Sequence, residues 1–140
     1  PPGDDGATFG CGRWDPHHAH SLGVGVGGDV VTLDMRSLKV AHRVAGAHAQ
    51  AVRSIDYNPN KPFHIVTGGE DRLVKFWDFR KPDTPLKVLL GHSHWVWTVS
   101  FNRFHDQLLL SGGTDSVVNL WRVSSISSAR SGSAMAIRSP

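Results

Sequence analysis

Short stretches in which apolar and polar residues alternate recur along the chain, each closed by a cluster of Gly, Pro, Asn or Asp, and this pattern predicts strands joined by turns. Val52, Ile55 and Tyr57 alternate with polar neighbours and run into Asn58-Pro59-Asn60-Lys61-Pro62, which is turn chemistry. A strand a is expected over 52–57, a strand b over 64–67, a Gly-Gly-Glu-Asp turn over 68–71, a strand c over 73–78 and, beyond the break at Pro82 to Pro85, a strand d over 86–90. The same order begins again with strands a over 96–101, b over 107–111 and c over 117–122. Upstream, 23–26, 30–34 and 38–45 read as strands b, c and d of an earlier unit. No stretch shows a helical period of useful length.

The order recurs at a fixed interval. Sliding the chain against itself by 44 residues pairs His48 with His92, Val52 with Val96, Asn58 with Asn102, Thr67 with Ser111, Gly68-Gly69 with Gly112-Gly113, Asp71 with Asp115, Val74 with Val118 and Trp77 with Trp121, without a gap. A repeat of about 40–45 residues carrying four short strands is the size of one propeller blade. The expected fold is therefore all-β, a partial β-propeller with one complete four-stranded blade flanked by two incomplete ones. Its blades are expected over 12–123, with 1–11 a disordered or incomplete lead and 124–140 a disordered tail, since Ser127-Ser-Ala-Arg-Ser-Gly-Ser133 is of low complexity.

With these residues in place, Gly91-His92, Trp77-Asp78 and the Gly-Gly-x-Asp turns resemble the WD40 family. The resemblance implies a hydrogen-bonded tetrad in each blade: His48, Thr67, Asp71 and Trp77 in one, and His92, Ser111, Asp115 and Trp121 in the next. In such a set the carboxylate accepts from imidazole and the hydroxyl links imidazole to the indole N–H, so a buried polar network fixes the geometry of the turn. Asp, His and Ser together also resemble a catalytic triad, but a catalytic set does not recur at a fixed period, and no catalytic residue is assigned. The Leu33 position replaces a blade Trp in the upstream unit.

Composition narrows the remaining classes. An apolar fraction of 39% suffices for a packed core, and the formal charge of +3, from 15 basic and 12 acidic residues, is spread without a run of like charges or a basic stripe interleaved with aromatics. Nucleic acid is not an expected partner. Cys11 is the single cysteine, so neither an internal disulfide nor a cysteine zinc framework is available, and a reducing compartment is the simplest setting. The apolar runs fall far short of the roughly 20 residues that a membrane-spanning helix needs. The chain opens Pro1-Pro2-Gly3-Asp4-Asp5, without an initiator Met or a secretory signal, and is expected to be a piece cut at both ends whose unpaired blade faces leave it marginally stable alone.

Several motifs suggest chemistry that their context removes. Gly23, Gly25 and Gly28 satisfy GxGxxG, but a dinucleotide site needs a helix after the glycines, and Asp29-Val-Val-Thr-Leu33 is β-rich. A degenerate b–c hairpin is expected there, and no cofactor. His17, His18 and His20 lack a carboxylate or thiol at a spacing that closes a metal site, and His94, His105 and Asp106 read as loop packing or hydrogen bonding. Trp95 and Trp97 differ: as alternate residues at the start of strand a they point toward one rim. In the WD40 resemblance these positions, with the residue before the turn Asp, form a partner-binding face, which implies Trp95, Trp97 and Thr114 together with Arg53 and Glu70 of the preceding blade. Exposed Trp and Arg are the side chains most enriched in binding hot spots.

A narrower likeness lies outside the generic WD signature. Gly12-Arg13-Trp14-Asp15-Pro16-His17-His18, Asn58-Pro59-Asn60-Lys61, Val74-Lys75-Phe76-Trp77-Asp78, His92-Ser93-His94-Trp95-Val96-Trp97, His105-Asp106-Gln107 and Ser124-Ser-Ile-Ser-Ser128 resemble the family of EARP and GARP complex-interacting proteins, from about Gly12 to Ser128. That family implies a non-catalytic cytoplasmic adaptor, peripheral at endosomes and the trans-Golgi network, whose partner is a multisubunit vesicle-tethering complex and whose ring is closed by further blades. Direct membrane insertion is not implied. The acidic connecting segment that the resemblance leads one to expect is absent from 129–140. An alternative comes from Trp77-Asp78-Phe79-Arg80, which matches the WDxR box of cullin-4 ubiquitin-ligase substrate receptors and would make Arg80 a ligase-adaptor contact, with Asp34-Met35-Arg36 a partial second copy.

Overall fold

A computed structural model describes residues 8–124 and the backbone of 135–138. It contains three antiparallel sheets in chain order. Blade 1 comprises β1 (Phe9–Trp14), β2 (Ser21–Val26), β3 (Asp29–Asp34) and β4 (Lys39–Val44). Blade 2 comprises β5 (Val52–Tyr57), β6 (His64–Gly69), β7 (Leu73–Asp78) and β8 (Lys87–Leu90), and blade 3 comprises β9 (Val96–Phe101), β10 (Leu108–Gly113), β11 (Val118–Arg122) and β12 (Met135–Arg138). Each sheet is a four-strand meander with the first strand innermost, and β5 packs against both β1 and β9. Among the described residues no helix is long and apolar enough to cross a membrane.

The flanking blades are fuller than the sequence pattern implies. Strand β1 begins inside the segment read as a lead and completes blade 1. It escapes the pattern because Gly10 and Gly12 interrupt its alternation and most of its side chains are exposed, Phe9 to 71%. In the segment read as a tail, Met135–Arg138 pairs with β11 as the fourth strand of blade 3, while 125–134 lie outside the described residues. The GxGxxG segment is the β2–β3 hairpin, turning over Gly27 at φ +56° and Gly28. Blade 1 has Val24 and Leu33 where blade 2 has Thr67 and Trp77, so apolar side chains stand at the positions of the tetrad hydroxyl and indole.

Two cores lie between the blades, and strand period decides which side chain enters which. Ile65 and Trp77 face blade 1, packing with Val30, Val44, Val52 and Tyr57, while their chain neighbours Val66 and Phe76 face blade 3, packing with Val96, Val99, Leu109 and Trp121. The middle blade is apolar on both faces, which is why its strands carry adjacent apolar residues. Close approach depends on glycine at a few points: a Cβ on Gly23 would lie 2.5 Å from the Tyr57 hydroxyl, and one on Gly68 would lie 2.7 Å from Val96 Cγ1. The inner edge of β9 is capped by side chains of blade 2, since Val99 N donates to Ser54 Oγ (3.1 Å) and Phe101 N to the buried Asp56 carboxylate (2.8 Å). On the outer face of blade 3, Leu110 and Val118 are half-exposed.

Candidate functional site

At one end of blades 2 and 3 each b–c turn is tied to the loop entering its blade by four side chains. In blade 2, His48 Nδ1 lies 2.8 Å from Asp71 Oδ1, His48 Nε2 lies 2.7 Å from Thr67 Oγ1, and Trp77 Nε1 donates to that hydroxyl at 3.1 Å. In blade 3, His92 Nδ1 lies 3.0 Å from Asp115 Oδ2, His92 Nε2 lies 2.8 Å from Ser111 Oγ, and Trp121 Nε1 donates to Ser111 at 2.8 Å. Both carboxylates also accept backbone N–H groups, from Ala49 and Leu73 onto Asp71, and from Ser93 and Val117 onto Asp115. A fifth member was not foreseen in either blade: Lys75 Nζ donates to Ala47 O at 2.9 Å and, 44 residues on, Asn119 Nδ2 donates to Gly91 O at 3.1 Å. The chemical difference between Lys and Asn hides the shared position.

Burial pushes the Asp71 carboxyl up, but the hydrogen bond and charge of His48 and the Leu73 and Ala49 N–H groups outweigh it and hold the group below its ordinary 3.8. Burial acts upward on Asp115 too, and the Ser93 and Val117 N–H groups with His92 bring it below the same value. A carboxyl held lower in the folded than in the unfolded chain adds stability that is complete above pH 3.8 and is lost as pH falls through the folded value. The melting temperature is therefore expected to fall steeply with acid below about pH 4. In Asp71→Asn/Asp115→Asn, starting from a lower stability, that slope is expected to be shallower; an identical slope would show that the tetrad carboxylates do not control acid stability.

The tetrads set the position of what stands beside them. Glu70 and Thr114 immediately precede the tetrad acids, and their N–H groups donate to Ala51 O (2.9 Å) and Trp95 O (3.0 Å). From β5, Arg53 Nε donates to Glu70 Oε1 at 2.8 Å, and its Nη2 donates to the same oxygen. The guanidinium carbon lies 5.3 Å from the Trp95 ring centre and 5.0 Å from that of Trp97, whose rings meet edge to face at 6.0 Å. His94 joins the group, bonded to Thr114 Oγ1 and tilted against Trp95 at 5.5 Å. All five residues expected on a binding rim, Arg53, Glu70, Trp95, Trp97 and Thr114, thus form one cluster across the joint of blades 2 and 3. Trp97 remains 46% exposed. A guanidinium over an indole contributes about 0.5–1 kcal/mol at an exposed site, and the larger effect is geometric: Arg53 is held rigid, so less side-chain entropy is lost when a partner covers it.

Arg80 lies at the other end of blade 2. Its guanidinium chelates Asp78, through Nε to Oδ1 at 3.0 Å and Nη2 to Oδ2 at 2.9 Å, and the side chain is 58% exposed. Asp34 and Arg36 repeat the contact more loosely, Nε to Oδ1 at 3.4 Å. His17 and His18 are engaged with Asn58 O and Asp15, and no group of three or more His, Cys, Asp or Glu that could hold a metal occurs among the described residues.

Comparison with known proteins places this architecture. Residues 4–121 match the EIPR1 β-propeller family. EARP and GARP complex-interacting protein 1 of Rattus norvegicus is 45% identical over 122 residues, which cover 86% of this chain and 31% of the relative. EARP-interacting protein 1 of Caenorhabditis elegans is 41% identical over 116 residues, 82% of this chain and 32% of the relative. WD repeat-containing protein DWA2 of Arabidopsis thaliana is 34% identical over 116 residues, 83% of this chain and 32% of the relative. The chain thus spans about a third of the length of the curated relatives it matches.

Proposed function

We propose, from the premise that this chain belongs to the EIPR1 β-propeller family, that it is part of a non-catalytic cytoplasmic adaptor whose Arg53–Trp95–Trp97 rim docks a subunit of an EARP- or GARP-type vesicle-tethering complex. The observation that carries the reading is the rim itself: two indoles and an arginine, the side chains richest in binding energy, stacked at the exposed end of a joint between blades and held there by the tetrads. The polar sets that resemble catalytic ones are satisfied internally, which suits a scaffold better than an enzyme. Action in endosomal recycling and endosome-to-Golgi transport, with residence at the cytoplasmic face of those compartments, follows from the partner.

Affinity capture of the tagged protein from cells, read by mass spectrometry, tests this. Tether subunits are expected with the unaltered protein and are expected to fall at least ten-fold in Trp97→Ala and in Arg53→Ala, since one hot-spot side chain contributes about 2 kcal/mol or more. Capture unaffected by both changes would refute the rim. Arg80 supports the second reading in one respect, being exposed and already oriented by Asp78. Recovery of a cullin-4 adaptor, lost in Arg80→Ala and retained in Trp97→Ala, would favour the ligase role.

A further inference from the structure

The connection between the third and fourth strands differs in length from blade to blade. In blade 1, β3 ends at Asp34 and β4 begins at Lys39, whereas in blade 2, β7 ends at Asp78 and β8 begins at Lys87. Blade 1 therefore closes the turn with residues 35–38, and blade 2 takes 79–86 for the same step. Both turns open alike, with Arg36 N and Nε donating to Asp34 and Arg80 N and Nε donating to Asp78. The stretch by which blade 2 is longer holds Pro82-Asp83-Thr84-Pro85, and blade 1 makes the connection without it.

The loop is fixed at its start, where Phe79 N donates to Phe63 O and Lys81 N to Asp78 O, and at its end, where Leu86 N donates to Phe76 O. Between these anchors, none of residues 82–85 is tied by a hydrogen bond or an ion pair to a strand or to another loop among the described residues. Asp83 and Thr84 are exposed. Drawing this stretch away from the blade therefore breaks no bond to it, the property of a segment that opens locally at little cost. A recognition pattern lies in the same place, since Thr84 stands directly before Pro85 and Lys87 follows three positions after Thr84. The residue before a proline is held extended, the form in which a kinase groove takes its substrate. A groove that offers no acceptor after the modified residue selects proline there, because proline has no N–H to leave unpaired. Lys87 opens β8, the outermost strand of its sheet, so the whole segment lies at an open edge.

We propose that Thr84 is a phosphorylation site for a proline-directed Ser/Thr protein kinase that also reads the cation at Lys87. Thr84 Oγ1 attacks the γ-phosphorus of ATP, and the new Oγ1–P bond replaces the bond from that phosphorus to the β–γ bridging oxygen. ADP leaves with the electron pair of the broken bond, and the hydroxyl proton passes to the kinase's catalytic base. The product carries about −1.5 to −2 charge at pH 7. The charges of the loop and its exit are Arg80, Lys81 and Lys87 against Asp83, so the modification takes this segment from net positive to near neutral. That change falls at the Arg80 end of blade 2, opposite the rim.

Incubation of the full chain with a purified cyclin-dependent kinase and Mg-ATP, with the phosphate mapped by tandem mass spectrometry, tests it. Phosphate is expected on Thr84, absent from that position in Thr84→Ala and retained in Thr84→Ser. Pro85→Ala is expected to lower kcat/KM about ten-fold or more, the effect of leaving one N–H without an acceptor. Lys87→Ala is expected to lower it about three-fold, the scale of one exposed ion pair. A free peptide of residues 79–90 measures access, and the folded chain is expected to react at a comparable rate. Absence of phosphate on Thr84, reaction of the peptide but not of the folded chain, or a rate that either Pro85→Ala or Lys87→Ala leaves unchanged would overturn the proposal, whatever the fate of the rim.

Discussion

Asp71→Ala is expected to destabilise the chain by about 3 kcal/mol, and to lower its thermal midpoint by on the order of 10 °C. The carboxylate receives three hydrogen bonds, from the His48 ring and from the N–H groups of Ala49 and Leu73. Ala49 is exposed and its freed N–H can turn to water, but the His48 side chain is fully buried, and its Nδ1 would be left without a partner. A stranded buried polar group costs about 1–3 kcal/mol by itself. The ring also loses the contact that orients Nε2 toward Thr67, and the indole of Trp77 depends on that hydroxyl in turn. Because Glu70 precedes Asp71 and bonds Arg53, the same change should loosen the rim and weaken partner capture along with stability. Asp115→Ala should behave similarly, since Asp115 accepts the matching hydrogen bonds from the His92 ring and from the N–H groups of Ser93 and Val117. Thermal melts of the two variants beside the unaltered chain decide the matter, and a fall of under about 0.5 kcal/mol in Asp71→Ala would show that the tetrad is not a structural unit.

Gly28→Ala is expected to cost about 2–3 kcal/mol, the scale of overpacking a rigid site. An added Cβ would lie 2.4 Å from His48 O and 3.2 Å from Gln50 O, both backbone atoms that cannot rotate away. Those atoms belong to the loop that enters blade 2, where His48 N donates to Gly28 O (3.0 Å) and Val52 N to Gly27 O (2.8 Å). Relieving the clash therefore means breaking the joint between blades 1 and 2 and moving a tetrad histidine. Gly46→Ala separates this from a purely backbone effect: its φ is +62° and nothing lies within 4 Å of the new Cβ, so about 1 kcal/mol is expected. Equal urea midpoints for the two variants would contradict the steric account. The glycines of the GxGxxG segment are thus required by the approach of a neighbouring blade.

What could be read from the chain follows from where the repeat speaks. β5, β7 and β9 have the predicted bounds because apolar alternation, turn residues and the 44-residue register agree there. The tetrads were legible because each member recurs at the same offset, and the structure places all eight residues within hydrogen-bonding networks. β1 was not legible, since glycines replace the alternation and no tetrad residue anchors it; β12 lies in a segment whose composition is that of a tail. That Arg53, Glu70, Trp95, Trp97 and Thr114 belong together could be named from the sequence, but not how they are arranged. Arg53 belongs to blade 2 and the two tryptophans to blade 3, so the stack exists only once the blades dock.

The claim that the rim formed by Arg53, Trp95 and Trp97 is where the tether binds is tested most directly by photo-crosslinking in cells from benzoylphenylalanine placed at Ser93, an exposed position two residues before Trp95. A crosslink to a tethering-complex subunit, present in the otherwise unaltered protein and lost when Trp97→Ala is added, is the predicted result. The contradicting result is the absence of any tether crosslink at Ser93, or one whose yield Trp97→Ala leaves unchanged.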